Sequence, residues 1–319
     1  MIFLLPLPGL SRVQEQGRSC ILGRGENPQY TPLIEYQVIK QYSSSAMTSL
    51  ERKAVFSLAG IYSLRMFGLF MLLPVLSVYA YSLQGATPYL IGIALGAYGL
   101  TQAILQIPFG LLSDRIDRKL AISIGLAVFA VGSIVAASAD TISGLILARC
   151  IQGAGAISAA ILALTADLTR SNQRTKAMAL IGISIGATFM LSLVLAPVLQ
   201  ATMGMDGLFL LVAMLAVIAV FVLYLWVPDA DPQLRSNTAR ESIRRELLQS
   251  LKNTRLLQLD LGIFISHMVL TALFVVLPVL FIEVGQFPLS SHWKLYVPVL
   301  LVSVLGMAPF VAAGSRPQR

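Results

Sequence analysis

From Met47 onward the chain alternates long apolar runs with short polar turns. Apolar runs fall at about 54 to 80, 88 to 112, 119 to 138, 142 to 165, 177 to 201, 207 to 228, 259 to 283 and 293 to 314. A hydrocarbon core of roughly 30 Å needs about 20 apolar residues per helix, so each run is long enough to cross a membrane and eight spanning helices are expected. The turns between them differ in charge. Arg52 and Lys53 precede the first run; Arg115, Arg118 and Lys119 follow the second; Arg170, Arg174 and Lys176 follow the fourth; Arg235, Arg240, Arg244, Arg245, Lys252 and Arg255 follow the sixth. The intervening turns carry almost no basic residues, Lys294 being the mild exception. Basic loops stay cytoplasmic, which predicts a multi-pass membrane protein with a cytoplasmic N-terminus.

The apolar pattern also repeats. FMLLPVL at 70–76 returns as FVVLPVL at 274–280, and IPFG at 107–110 returns as APFV at 308–311, at nearly the same offset. The seventh run repeats the first and the eighth repeats the second, so the unit is six helices long. A protein of two such units would have about twelve spans around a site at the bilayer midplane. The expected fold class is therefore all-α, a polytopic membrane helix bundle with a six-helix N-terminal half (47–228) and the first two helices of an incomplete C-terminal half (259–319). Between them, 229–258 reads as a cytoplasmic linker. Its stretch SNTARESIRRELLQSLKNTRLL has caps at Ser236 to Thr238, an apolar stripe of Ile243, Leu247, Leu248 and Leu251, and Glu241 four residues before Arg245, which fits either an amphipathic helix on the membrane surface or a plain solvated connector. Residues 1–46 show no helical or strand period and no signal-peptide pattern, and read as a disordered tail or, preferentially, as non-native sequence ahead of a true start at Met47. By the repeat, the chain is expected to be truncated after eight helices, where GSRPQR stands in the place of SDR.

Composition narrows the function classes. Of 319 residues, 56% are hydrophobic and only 12% charged, where a soluble domain carries about a quarter. The net charge of +8 lies in clusters between spans rather than on one face, which argues against a nucleic-acid partner and for membrane topology. Cys20 and Cys150 have no metal or disulfide spacing. No phosphate loop, metal cluster or nucleophile constellation occurs, so neither an enzyme nor a cofactor is expected.

Against this background the cluster GLLSDRIDRKL at 110–120 stands out, together with RCIQGAG at 149–155. Gly110, Asp114, Arg115, Arg118 and Lys119 match the pattern G-x-x-x-D-R-x-G-R-[RK], and Arg149, Gln152 and Gly153 match R-x-x-Q-G. On these two signatures the chain from about Met47 to Gly314 resembles the major facilitator superfamily, in its twelve-helix drug–proton antiporter branch and most like the YajR-type exporters there. The resemblance implies that Asp114 grips a helix of the second half, that Arg115 pairs with the acid after helix four, here Asp167, and that Arg149 takes part in proton coupling. Asp117 stands where the family has Gly, which puts the turn geometry in question and offers an additional ion pair. Simple enforcement of cytoplasmic placement is the competing reading of the cluster. The family's helix-five signature G-P-x-x-G-G is reduced here to Pro197, which permits a kink.

The deep polar residues follow from burial cost. Arg65 and Arg149 lie within spans, where a guanidinium costs about 2.5 to 3.5 kcal/mol on insertion scales and so faces a cavity or partner. Holding polar groups of the first span in place is the equal alternative reading of Arg149. Tyr98, Gln102 and Gln106 recur at one-turn spacing on a single face, as do Ser184, Thr188 and Ser192. The glutamines are assigned to a cavity and the hydroxyls to a helix seam. Gly153 with Gly155, and Gly182 with Gly186, are expected at close helix contacts. Pro74 lies within the first copy of the repeat. His267 is a titration candidate, with a satisfied buried histidine as the preferred reading. The expected function is secondary active transport: proton-coupled export of small, mostly apolar compounds by a monomer drawing on the proton gradient, its partners being lipid, small-molecule substrate and protons. Uptake of a small anion, suggested by Arg65 and Arg149 with no acid between them, is the alternative from the same fold, and a truncated, non-transporting membrane fragment is the third.

Overall fold

The computed structural model describes residues 46–229 and 252–314; the tail up to residue 45, the amphipathic stretch up to residue 251 and residues 315–319 lie outside the described residues. The described chain is all helical. The elements are α1 (Ser49–Ala80), α2 (Pro88–Arg115), α3 (Arg118–Ala137), α4 (Ile142–Ala154), α5 (Ser158–Asp167), α6 (Arg174–Trp226), α7 (Thr254–Glu283) and α8 (Trp293–Gly314). Ser49–Ala80, Pro88–Arg115, Arg118–Ala137, Ile142–Asp167, Arg174–Trp226 and Thr254–Glu283 are long and apolar enough to cross a membrane. The fifth and sixth expected runs are both held in α6, and the eighth is α8.

Local sequence explains where these helices start. Thr48 accepts the Glu51 amide at 3.2 Å while the Glu51 carboxylate accepts the Thr48 amide at 2.8 Å, a reciprocal cap that satisfies two free N–H groups. Thr87 and Thr141 cap α2 and α4 in the same side-chain-to-amide manner, and Pro88 occupies the first turn of α2, where its missing N–H costs nothing. The 53-residue α6 breaks at Gly204, whose φ of 70° and ψ of −178° suit a residue without a Cβ. The kink permitted at Pro197 does not form: Pro197 sits in unbroken helix, and the break at Gly204 falls between the expected fifth and sixth runs, where two helices meet. Pro74 likewise lies inside continuous helix, as does its repeat partner Pro278.

The core forms where α1 and α3 pack against α6 and where α4 packs against α2 and α3. Small residues set the spacing on α4. A Cβ at Gly155 would lie 2.3 Å from the Gly125 carbonyl oxygen of α3, and one at Gly153 would lie 2.4 Å from the Tyr98 carbonyl oxygen of α2. Backbones therefore touch on both sides of α4, as expected for this pair. The Gly182 and Gly186 pair does not behave this way. A Cβ at either would meet nothing within 4 Å, because this face of α6 looks away from its neighbours.

The second copy of the repeat rests on the first through α7 and α1. Ser77 donates to the Phe274 carbonyl at 3.1 Å. Phe70, Phe189 and Phe274 stack edge to face with centroids 5.0 and 6.3 Å apart, linking α1, α6 and α7. Phe274 and Pro278 are the buried residues of α7, so the repeated motif itself forms this contact.

Candidate functional site

Two polar centres are built on this frame, one at the end of the bundle and one in its core. At the end, the α2–α3 corner brings together the GLLSDRIDRKL cluster. Ile116 adopts extended backbone, φ −104° and ψ −179°, between the last residue of α2 and the cap of α3. This corner turns Arg118, the first residue of α3, toward the end of α5. Its guanidinium binds Asp167 through Nε and Asp114 through Nη1, the latter at 2.9 Å. Arg118 and Asp167 are largely buried, with side chains 15% and 18% exposed. The expected pairing of Arg115 with Asp167 is corrected by this geometry: Arg115 ends α2 on the exposed side of the corner, and Arg118 takes the acid. A planar guanidinium with several donors suits a position between two carboxylates.

Asp117 also differs from expectation. It caps α3, accepting the amides of Lys119 at 2.8 Å and Leu120 at 3.2 Å, with φ −64°. A backbone in that region has no need of glycine, so the turn is preserved. Ordinary contact surrounds Gly110, where a Cβ would meet Ala159 at 3.5 Å. Lys119 reaches the end of α6, donating to the Val227 carbonyl at 2.7 Å and to the Asp229 carboxylate at 2.5 Å. That bond to Lys119 holds the Asp229 carboxyl below its ordinary range. Arg170, in the α5–α6 turn, grips Glu51 with Nε at 2.9 Å and Nη2 at 3.0 Å, and its own amide adds a third bond at 2.9 Å. The Glu51–Arg170 and Lys119–Asp229 pairs escaped the sequence reading. The signal available was a cap acid next to the basic turns, but its partner is 119 residues away.

In the core, Arg65 of α1 donates through Nη2 to the Gly155 carbonyl at 2.8 Å, at the point where α4 ends and α5 has yet to begin. Its guanidinium stands 5.5 Å from the Phe129 ring centre. Arg149 donates through Nη1 to Gln152 Oε1 at 2.8 Å, and Gln152 in turn donates to Ser133 Oγ at 2.8 Å. The Arg149 guanidinium lies over the Tyr98 ring at 4.8 Å. Tyr62 donates to Ser158 Oγ at 2.8 Å. Tyr98 is buried and Gln102 and Gln106 are half-buried along the same side of α2, as their spacing implies. Ser184, Thr188 and Ser192 bond back to carbonyls of their own helix, and Ser192 also reaches the Phe67 carbonyl at 3.4 Å, which makes this stripe a seam against α1. His267 is not a buried histidine. It lies on the exposed face of α7, with Nδ1 against the Ile263 carbonyl at 2.9 Å, because α7 buries little beyond Phe274 and Pro278.

Residues 58–318 match the sequence profile of the Major Facilitator Superfamily. The chain belongs to the major facilitator superfamily. Members of this superfamily are transporters rather than enzymes. The inner membrane transport protein YajR of Escherichia coli K12 is 47% identical over 265 residues, which cover 83% of this chain and 58% of that protein. An uncharacterised transporter of Buchnera aphidicola is 36% identical over 265 residues, 83% of this chain and 68% of its own length. The quinolone resistance protein NorA of Staphylococcus aureus is 35% identical over a shorter stretch of 127 residues, 39% of this chain and 32% of NorA. Against YajR, the chain spans about three fifths of the relative's length. The fold is also that of a bacterial homologue of the human lysosomal transporter Spinster, with a TM-score of 0.67 at 15% identity over 85% of this chain and 63% of that one. Among the described residues, no group of three or more His, Cys, Asp or Glu side chains could hold a metal ion.

Proposed function

We propose that this major facilitator protein is a proton-coupled exporter of small, mostly apolar molecules across the inner membrane, working as a monomer by alternating access with its N-terminus in the cytoplasm. Arg118 carries this reading. It ties together the ends of α2, α3 and α5 through one guanidinium, partly buried, at the end of the bundle where the basic turns gather. A bond of this kind holds one arrangement of the helices and is released as a unit when they rock, since one side chain serves both carboxylates. Asp114 keeps a 37% exposed carboxylate in that cluster, free to take a further donor from outside the first half. The likeness to the inner membrane transport protein YajR supports transport across an inner membrane, and the likeness to the quinolone resistance protein NorA supports the outward direction. Arg149, in the signature the family associates with proton coupling, is the candidate for passing on the state of the coupling site.

The test is dye efflux from proteoliposomes carrying the purified protein under an imposed inward proton gradient. Efflux that follows the gradient and collapses in Asp114→Asn is the expected result. Efflux indifferent to the gradient and to that variant would overturn the reading.

A further inference from the structure

Arg65 and Arg149 are almost wholly removed from solvent, at 0% and 2% exposed. A guanidinium keeps its proton at any physiological pH, so neither side chain can discharge itself as a buried lysine or histidine would. The spans around them carry no carboxylate in sequence: no Asp or Glu occurs between Glu51 and Asp114, between Asp117 and Asp140, between Asp140 and Asp167, or between Asp167 and Asp206. Each of those acids sits at a helix end or in a turn, except Asp206, which lies beside the Gly204 break in α6. At the depth of Arg65 and Arg149 the spans of the first half therefore hold two positive charges and no negative residue, the buried Glu51 and Lys119 lying at helix ends.

The hydrogen bonds present do not use up these donors. Arg65 spends Nη2 on the Gly155 carbonyl, and Arg149 spends Nη1 on Gln152. Nε and Nη1 of Arg65, Nε of Arg149 and the hydroxyl of Tyr98 are buried without a partner. The C-terminal end of α4, to which Arg65 is bound, supplies the equivalent of about half a negative charge. Aromatic faces at Phe129 and Tyr98 add a little more. Desolvation of each ion costs several kcal/mol, and removing a guanidinium from water is offset only when a counter-charge and full hydrogen bonding are supplied. A single negative charge would nearly complete the balance.

We propose that this cluster binds a small monovalent anion, either chloride or the carboxylate group of a small organic acid, between the helices that carry Arg65, Tyr98 and Arg149. The four unpartnered polar atoms are its donors. The close backbone contacts at Gly153 and Gly155 hold this end of α4 tight against α2 and α3, which favours a compact anionic group. Arg65, which neither sequence signature covers, becomes an anion-binding residue of the first half. The inference does not depend on the direction of transport.

Binding is measured on the purified chain in nanodiscs, by the thermal midpoint at fixed ionic strength with the bulky sulfonate HEPES as reference anion. Chloride, acetate and benzoate are then titrated separately. The expected result is a saturable rise in midpoint whose apparent Kd weakens at least tenfold in Arg65→Gln and about fivefold in Tyr98→Phe, the latter corresponding to one lost hydrogen bond. Stabilisation by chloride alone assigns an inorganic ion; stabilisation by the carboxylates assigns an organic acid. Should Arg65→Gln fail to fold, Tyr98→Phe decides, since it leaves both arginines in place. A midpoint independent of the anion, or variants with the wild-type Kd, would overturn the proposal. Gradient-driven efflux that persists alongside such a result would leave the export reading standing and remove only the anion site.

Discussion

The Arg118 guanidinium at the start of α3 is bound to the Asp167 carboxylate at the end of α5, forty-nine residues further along the chain. Asp114 holds its other side. The two helix ends that meet at the α2–α3 corner and the distant end of α5 are thus tied by one side chain that is mostly shielded from water. Hydrogen bonds to charged groups of this kind contribute about 1.5 to 3 kcal/mol each when shielded and much less when solvated. Arg118→Ala is expected to lower the stability of the detergent-solubilised protein by about 2 kcal/mol. Arg115→Ala, on the exposed side of the same corner, should stay within about 0.5 kcal/mol of wild type. Thermal unfolding of the two variants side by side makes the comparison, and equal losses would contradict the assignment.

Glycine positions at the C-terminal cap of α4 and on α6 separate by sign. At Gly155 an added methyl would stand 2.3 Å from the Gly125 carbonyl oxygen, a backbone atom that cannot move without moving α3. Gly155→Ala is therefore expected to destabilise by about 1 to 3 kcal/mol. At Gly182 the methyl meets nothing, and the residue lies in helix. Gly182→Ala should stabilise by about 0.5 to 1 kcal/mol through helix propensity and unfolded-state entropy. Opposite shifts in unfolding midpoint are the diagnostic result; a loss at both positions would mean that α6 has a neighbour on that face.

The pin between α3 and α6 has a defined pH response. Lys119 holds the Asp229 carboxyl below its ordinary value of 3.8 in the folded protein. The bridge is accordingly complete at neutral pH, remains complete down to about the ordinary carboxylate value, and is lost as pH falls through the lower folded-state value. Spin labels flanking the start of α3 and the end of α6 should report a constant separation from pH 8 to about pH 4 and a wider distribution below it. In Lys119→Met the separation should be broad at every pH. A wild-type change centred near neutral pH would assign the response to another group.

How far these features could be read in advance depends on their range along the chain. The helices were legible because each is a continuous apolar run closed by residues that act locally, such as Thr48, Thr87 and Asp117. The Gly153 and Gly155 contacts were legible because small residues near a span's middle have few other uses. What escaped were choices between similar residues a turn apart. Arg115 and Arg118 lie on either side of a corner whose direction is set by the backbone of Ile116, and no spacing rule fixes that torsion. The Gly182 pair has the same small-residue pattern as α4 but faces outward, since pattern reports what could pack and the neighbouring helix decides what does. His267 escaped for a related reason: its helix buries Phe274 and Pro278 and leaves the histidine's side uncovered. Asp229 and Glu51 found partners more than a hundred residues away.

Gln152 offers the sharpest energetic test of the core. It accepts from Arg149 and donates to Ser133, so it spans a buried charge and a buried hydroxyl that have no water to fall back on. Gln152→Leu removes the only acceptor that Arg149 Nη1 has among the described contacts, leaving a buried cation with less compensation than before. A loss of about 3 to 5 kcal/mol is expected for breaking a buried charged interaction from one side. Replacing both partners with apolar residues, as in Arg149→Met with Gln152→Leu, removes the charge that needed the acceptor. The double variant should then be more stable than Gln152→Leu alone, by at least 1 kcal/mol, although transport is lost. A double-mutant cycle on unfolding free energies reads this directly. Additive losses would mean that Arg149 draws its compensation from elsewhere, whereas recovery in the double variant would locate the cost of the buried guanidinium in the Gln152 bond.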